Sequence, residues 1–406
     1  MRLLVISAAF PPMRAAEADH IFHLCGRLAN GGLDVHVLTT EGNVPVGSPG
    51  VRVHPIMRRW DWTELPRLVR FLTRCAPDAI LLMFIDWVYS GQPMITFSAS
   101  VARRLFPNIP FVTKFPNPIG VPPGRLPLPT RLLRRAAAHC AGPGAVDYRF
   151  GTLLRDSTRL IAFCHHHLET LAQIDPAAAK KSVLIPPPPI MSMRPDDNGT
   201  SRRAGRLALG LKDTDFVVAY FGYIYPNKGV ETLLKAFQTV SAQRKDARLV
   251  LIGGIIALEF PDRPSYAQEV QALPRQLGIE DSVTWTGGYA WDSEEPSLYL
   301  RAADVCVLPF DTGIQMNNSS FSAAAAHALP IITTRGPALE PVFVHGENVF
   351  LCPPKDPEAL ASAMTQLMDR PDLRQGLRTG VLKLAQNWFS WDGALTRTLQ
   401  ALTPAA

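Results

Sequence analysis

The chain has 406 residues, 47% of them hydrophobic, and carries 41 Lys+Arg against 35 Asp+Glu, a net charge of +6 at pH 7. That length exceeds one ordinary core and predicts two domains, and no apolar run reaches the roughly 18 residues of a membrane span. The charge is uneven, +9 over residues 1–190 and −3 over the rest; with no nucleic-acid motif beside it, an anionic membrane surface rather than nucleic acid is the partner expected for the basic half.

The N-terminal run Leu3–Ile6 is too short for a leader and ends at Phe10-Pro11-Pro12, so it reads as a first strand. Ile21, Leu24, Cys25 and Leu28 recur at helical spacing, Gly31-Gly32 stops that helix, and Leu33–Leu38 follows as the next strand. Further short apolar runs at 78–83, 109–113, 159–164 and 182–185 predict a parallel sheet covered on both faces. The four prolines 186–189 and the polar stretch 194–205 mark the boundary. The expected division is an N-terminal domain over 1–190, a linker over 191–205 and a C-terminal domain over 206–387. The rhythm then restarts. Strands are expected at 216–221, 248–252, 283–286, 305–308 and 331–334, and helices near 230–242, 266–277, 320–328 and 357–369.

Six cysteines, at 25, 75, 140, 164, 306 and 352, form no C-x-x-C pair and sit in apolar surroundings. Buried free thiols in a reducing compartment are expected, and hence a cytoplasmic protein, peripheral at the inner face of the membrane. Leu126–Cys140, with Arg131, Arg134 and Arg135 beside Leu132 and Leu133, is the stretch suited to an anionic surface, or equally a surface helix with snorkelling arginines. His165-His166-His167 resembles a metal site, but consecutive helical side chains point in different directions, and Asp213-Thr214-Asp215 precedes a strand as a turn would. No metal is expected.

The segment Phe216–Phe237 says most about function. An apolar strand runs into Gly222, a short turn leads to Lys228-Gly229, and an amphipathic helix follows. One cation and several unpaired backbone N–H groups at the carboxyl end of a buried strand suit a diphosphate. A solvated lysine is the plain alternative, although a helix N-terminus disfavours a cation without a ligand. Ser319 and Ser320 open a second helix, as caps or as phosphate contacts. Asp311-Thr312-Gly313 follows a strand, either as a simple turn or facing a ligand.

The Gly222–Gly229 segment resembles the phosphate-binding opening of the C-terminal domain in family 4 retaining glycosyltransferases. Leu249–Gly254, Val283–Gly288, Ala302–Pro309, Ala328–Thr334 and Phe389–Asp392 resemble later segments of the same family in the same order, so the resemblance covers nearly the full length. It implies an α/β fold of the GT-B type: two facing Rossmann-like doubly wound domains with an interdomain cleft, and a C-terminal helix, 388–406, packing back on the first domain. It implies transfer of a sugar from a nucleotide diphospho-sugar, UDP- or GDP-linked, with retention of configuration. No cofactor or metal is needed, and the acceptor is lipid-linked or a polysaccharide precursor. The residues matching catalytic positions are Lys228 and Asp311. Those matching the donor site are Gly222, Tyr223, Gly229, Gly254, Gly287, Tyr289, Gln315, Asn318, Ser319 and Ser320; Arg14, Glu17, Asn117 and His165 fall on the acceptor side.

The pattern departs from the family at three donor-side positions, and on the acceptor side Arg14-Ala15-Ala16-Glu17 replaces a glycine-rich loop and the usual histidine falls near Phe115. Tyr223 stands where an arginine is usual, and Gln315 and Ala323 replace two glutamates eight positions apart. The segment from Asp311 to Pro330 resembles a divergent branch of the family that lacks the glutamate pair and carries an Asp-x-Gly element and a serine at the helix start. The alternative is a non-catalytic GT-B protein that binds a glycan or a partner in a polysaccharide pathway; a sugar-nucleotide epimerase is a weaker third.

Overall fold

The computed structural model describes residues 1–13, 15–43, 50–118, 128–195, 198–256, 263, 265–290 and 292–403. The chain divides into two compact units, Met1–Pro186 with Asp392–Ala406, and Pro187–Trp391.

The first unit is built on seven parallel strands: Arg2–Ile6 (β1), Asp34–Thr40 (β2), Val51–Met57 (β3), Ala79–Met83 (β4), Phe111–Phe115 (β5), Arg159–Ala162 (β6) and Ser182–Leu184 (β7). Their order is β3-β2-β1-β4-β5-β6-β7. β4 and β5 are buried at every position. Both faces are covered by helices, so these strands read as continuous apolar runs rather than alternating ones. One face packs Leu4, Ile6, Ile80, Leu82 and Phe115 into a common core.

The second unit has six strands: Phe216–Phe221 (β8), Ala247–Ile252 (β9), Val283–Gly287 (β10), Val305–Leu308 (β11), Ile331–Thr334 (β12) and Phe350–Cys352 (β13). Their order is β10-β9-β8-β11-β12-β13, again parallel. β8 lies where the order reverses, between β9 and β11. In such sheets ligands bind at that reversal, beyond the carboxyl ends of the strands.

The two edge strands β3 and β13 are absent from the sequence-based expectation. β3 contains Arg52, His54 and Pro55 and is mostly half-buried; a proline is tolerated there because an edge strand has donors to spare. β13 has only three residues. The stretch read as a linker over 191–205 includes the start of a helix, Thr200–Ala208, with Ser201 and Arg206 buried. It reads as polar because Arg202 and Arg206 donate to the Ala302 carbonyl and both pair with Asp304, at 2.6 and 2.9 Å. Five of the six free cysteines are buried; Cys140 is exposed, contrary to its apolar context in sequence.

Candidate functional site

β8 ends at Phe221, and Gly222 then turns with φ +129°. A Cβ on Gly222 would run into the Ser320 hydroxyl, so the strand end and the helix Ser319–Ala326 touch through a glycine. Ile224 N donates to Gly254 O at 3.0 Å, tying the turn to the end of β9. Asn227 adopts φ +72°, and Lys228 N closes the turn on Tyr225 O at 3.2 Å. Gly229, at φ +71°, is the N-terminal flank of the helix Val230–Gln243, and no side chain caps that helix. Its Cα lies against the Pro309 carbonyl, where a Cβ could not fit. Asp311 N donates to Asn227 O at 3.1 Å, which joins the loop after β11 to the lysine turn.

Lys228 is half-buried. Its Nζ sits 4.8 Å from the Tyr225 ring centroid and 5.0 Å from that of Phe310. Among the described residues no carboxylate pairs with it, so its charge is faced by two aromatic quadrupoles. Asp311 lies in the next position after Phe310, with Lys355 Nζ 3.8 Å from its carboxylate. Burial pushes the Asp311 carboxyl up, against the pull of Lys355.

The helix Ser319–Ala326 is capped by Asn318, whose Oδ1 accepts from Phe321 N at 3.0 Å. The serine-cap alternative is therefore displaced by one residue: the asparagine does the capping. Gln315 O accepts from Asn318 N at 3.3 Å, and Met316 N donates to the buried Glu340 carboxylate at 2.8 Å. Glu340 has no signal in the sequence, because a single acidic residue in a loop does not announce burial. Ala323, where the family's second glutamate is usual, is buried, and its carbonyl accepts from His327 Nδ1 at 2.7 Å. Tyr223 contributes its carbonyl to the Tyr220 hydroxyl at 3.1 Å.

Gly254 lies against Gly288, and Gly253 and Gly287 form a bridge that draws the ends of β9 and β10 together. The Tyr289 hydroxyl bonds to Thr286, and burial raises its pKa. The chain thus gathers Gly222, Lys228, Gly229, Asp311 and Ser320 around the end of β8, with Gly254 joined through Ile224. Gln315, Asn318 and Ser319 lie on the same loop and helix start. Gly287 and Tyr289 are one strand further out.

In the first unit, Glu17, Asn117 and His165 follow the carboxyl ends of β1, β5 and β6 and so share one edge of the sheet. Arg14 lies outside the described residues. Burial raises the Glu17 carboxyl and pushes that of Asp19 to about 7. Lys114 is buried in β5, its Nζ 5.1 Å from the Phe163 ring, and desolvation brings it down to about 7. His165 opens the helix His165–Ile174. Within the histidine run, burial drives His167 down to about 4. No group of three or more His, Cys, Asp or Glu among the described residues is placed to hold a metal. Asp215 accepts from Lys212 N at 2.7 Å, a turn role.

Residues 215–370 match the family described as Glycosyl transferases group 1. Over this stretch the chain is similar to group 1 glycosyltransferases. The chain is 29% identical over 243 residues to a D-inositol 3-phosphate glycosyltransferase of Jonesia denitrificans, covering 58% of this chain and 53% of that protein. It thus spans about half the length of that relative. Against a GDP-mannose-dependent alpha-(1-6)-phosphatidylinositol monomannoside mannosyltransferase of Mycobacterium tuberculosis it is 22% identical over 400 residues, 96% of this chain and 95% of the other. Among solved structures, Anabaena Alr3699/HepE in complex with UDP and glucose superposes with a TM-score of 0.71 at 15% identity over 99% of both chains. WaaG, a glycosyltransferase involved in lipopolysaccharide biosynthesis, gives 0.66 at 14% identity over 99% and 100%. The fold is GT-B, with two Rossmann-like parallel-sheet domains. The matched stretch begins one residue before β8, so it contains every residue gathered around that strand's end.

Proposed function

We propose that this chain is a metal-independent glycosyltransferase that moves a sugar from a UDP- or GDP-linked donor with retention of configuration. The observation that carries the proposal is the Lys228 ammonium, held between the Tyr225 and Phe310 rings with no carboxylate partner among the described residues. It stands beside a helix start that no side chain caps. A lone positive charge and unused backbone N–H groups stabilise the charge that grows on a departing diphosphate. The capping by Asn318 spends its side chain on Phe321 N, which leaves the Ser319 and Ser320 amides for the same phosphates. In the proposed step the bond from the sugar's anomeric carbon to the diphosphate oxygen breaks. The acceptor oxygen bonds that carbon on the same face, and its proton passes to the departing phosphate. Asp311 accepts hydrogen bonds from sugar hydroxyls. Gln315 takes a hydroxyl in place of a carboxylate. Gly254, Gly287 and Tyr289 border the nucleotide, and Glu17, Asn117 and His165 lie on the acceptor side.

The acceptor we propose is lipid-linked or a polysaccharide precursor, which fits a peripheral position on an anionic membrane. No helix among the described residues is long and apolar enough to cross a membrane. The helix Leu128–Cys140 exposes Leu132 and Leu133, at 54% and 52%, beside the exposed Arg131 and Arg135. Apolar side chains beside guanidinium groups suit an anionic lipid surface. Transfer assays with UDP-, GDP- and TDP-sugars test the main proposal, and binding of none of them favours a non-catalytic role, for which Tyr223, Gln315 and Ala323 supply the motive.

A further inference from the structure

Glu231 stands in the first turn of the helix Val230–Gln243, two residues after Gly229. A carboxylate suits a helix start, but it has the wrong sign for a turn that receives a diphosphate. Both of its oxygens are engaged. Oε1 accepts from Arg263 Nη1 at 2.8 Å, and Oε2 accepts from the Tyr266 hydroxyl at 3.1 Å. The other arm of Arg263 meets Glu269, and the guanidinium lies 4.9 Å from the Tyr266 ring centroid. Arg263 and Tyr266 follow β9 in the chain and reach Glu231 from a different segment of the domain.

This group adjoins the lysine turn in the chain, since Glu231 lies three residues after Lys228 in the first turn of the helix that Gly229 opens. After burial and Lys355, the charges of Glu231 and Arg263 both act on the Asp311 carboxyl, in opposite directions. Asp311 is in turn bonded through its N–H to Asn227, next to Lys228. If Glu231 stood alone, its field would oppose the ammonium three residues earlier in the chain, screened in part because its side chain is 26% exposed. With both guanidinium arms occupied by carboxylates, Arg263 is placed to act through Glu231 rather than on a ligand directly.

We propose that Arg263, aided by the Tyr266 hydroxyl, is a positioning residue for the donor diphosphate: it offsets the charge of Glu231, so that the turn bearing Lys228 opposes the diphosphate less than it would without the guanidinium. The inference rests on the donor reading of residues 222–229.

The test is a four-protein cycle on the full chain: wild type, Glu231→Gln, Arg263→Gln and the double variant. Pyrophosphate, UDP and GDP are titrated by calorimetry at two salt concentrations, with melting curves to check folding. Arg263→Gln is expected to weaken binding about tenfold and to flatten its salt dependence. Glu231→Gln is expected to bind at least as well as wild type, and the double variant within about twofold of Glu231→Gln. A purely structural role for Arg263 would shift the melting curve without changing the salt slope, and that result overturns the inference. So does a double variant as weak as Arg263→Gln alone, since Arg263 would then touch the ligand itself. A wild type that binds none of the three ligands overturns the donor reading and this inference together. Wild-type binding with an unaffected Arg263→Gln overturns only the inference.

Discussion

Replacing Lys228 by methionine keeps a stem of similar length against Tyr225 and Phe310 and removes the charge. The loss to the fold is small, because two cation–π contacts at a half-exposed site contribute about 0.5–1 kcal/mol each. No described carboxylate is left unpaired by the change. The loss to the reaction is larger. A unit charge about 4 Å from a phosphate oxygen is worth about 4 kcal/mol at an effective dielectric of 20, and partial exposure reduces this to roughly 1.5–3 kcal/mol. That corresponds to about a ten- to hundredfold fall in turnover. The assay is initial-rate transfer from a nucleotide sugar, run beside urea unfolding of the same protein. Turnover within about threefold of wild type would refute the reasoning. So would a fall in activity matched by an equal loss of stability, since the lysine would then be structural.

Gly229→Ala meets two obstacles, the left-handed φ of +71° and the Pro309 carbonyl, and is expected to lose at least about 2 kcal/mol in urea unfolding. Asn318→Ala removes a helix cap and should cost about 1 kcal/mol, while Asn318→Asp should keep the cap. Burial, with Glu17 adding to it, holds the Asp19 carboxyl at about 7 in the folded chain, above its unfolded value. The native state therefore binds the extra proton between about pH 4 and 7, so stability falls as pH rises through that window. Asp19→Asn should raise the melting temperature at pH 8, and the gain should vanish by about pH 4. His327 is buried, its Nδ1 donating to Ala323 O and its Nε2 accepting from Ser297 Oγ, both at 2.7 Å, with burial lowering its pKa to about 4. Nitrogen NMR should find the Nδ1–H tautomer unchanged to below about pH 5, with stability declining as pH falls from about 6.5.

Most of the fold was legible because parallel strands buried on both faces leave uninterrupted apolar runs. β8 and β11 carry nothing else, whereas the strand order around the reversal comes from the structure, since a strand–helix rhythm fits more than one doubly wound order. β3 escaped because a half-exposed edge strand with Arg52, His54 and Pro55 has neither the run nor the alternation. Of the candidate site, the positions that depend on backbone chemistry were readable. Gly222 and Gly229 must be glycines, one against Ser320 and one against Pro309, and glycines beside a strand end are visible in sequence. What depends on pairing between distant segments was not. The Phe310 ring beside Lys228, the Glu340 carboxylate under Met316 and the Arg263–Glu231–Tyr266 group each join residues dozens of positions apart or hide among ordinary loop residues. Asn318 was marked for the ligand, yet its side chain serves the helix first.

A crystal structure with UDP or GDP bound tests the central claim most directly. The account predicts diphosphate oxygens within hydrogen-bond distance of Lys228 Nζ and of the Ser319 or Ser320 N–H. A nucleotide seated elsewhere, with the Lys228 ammonium still between its two rings and turned from the phosphates, would contradict it.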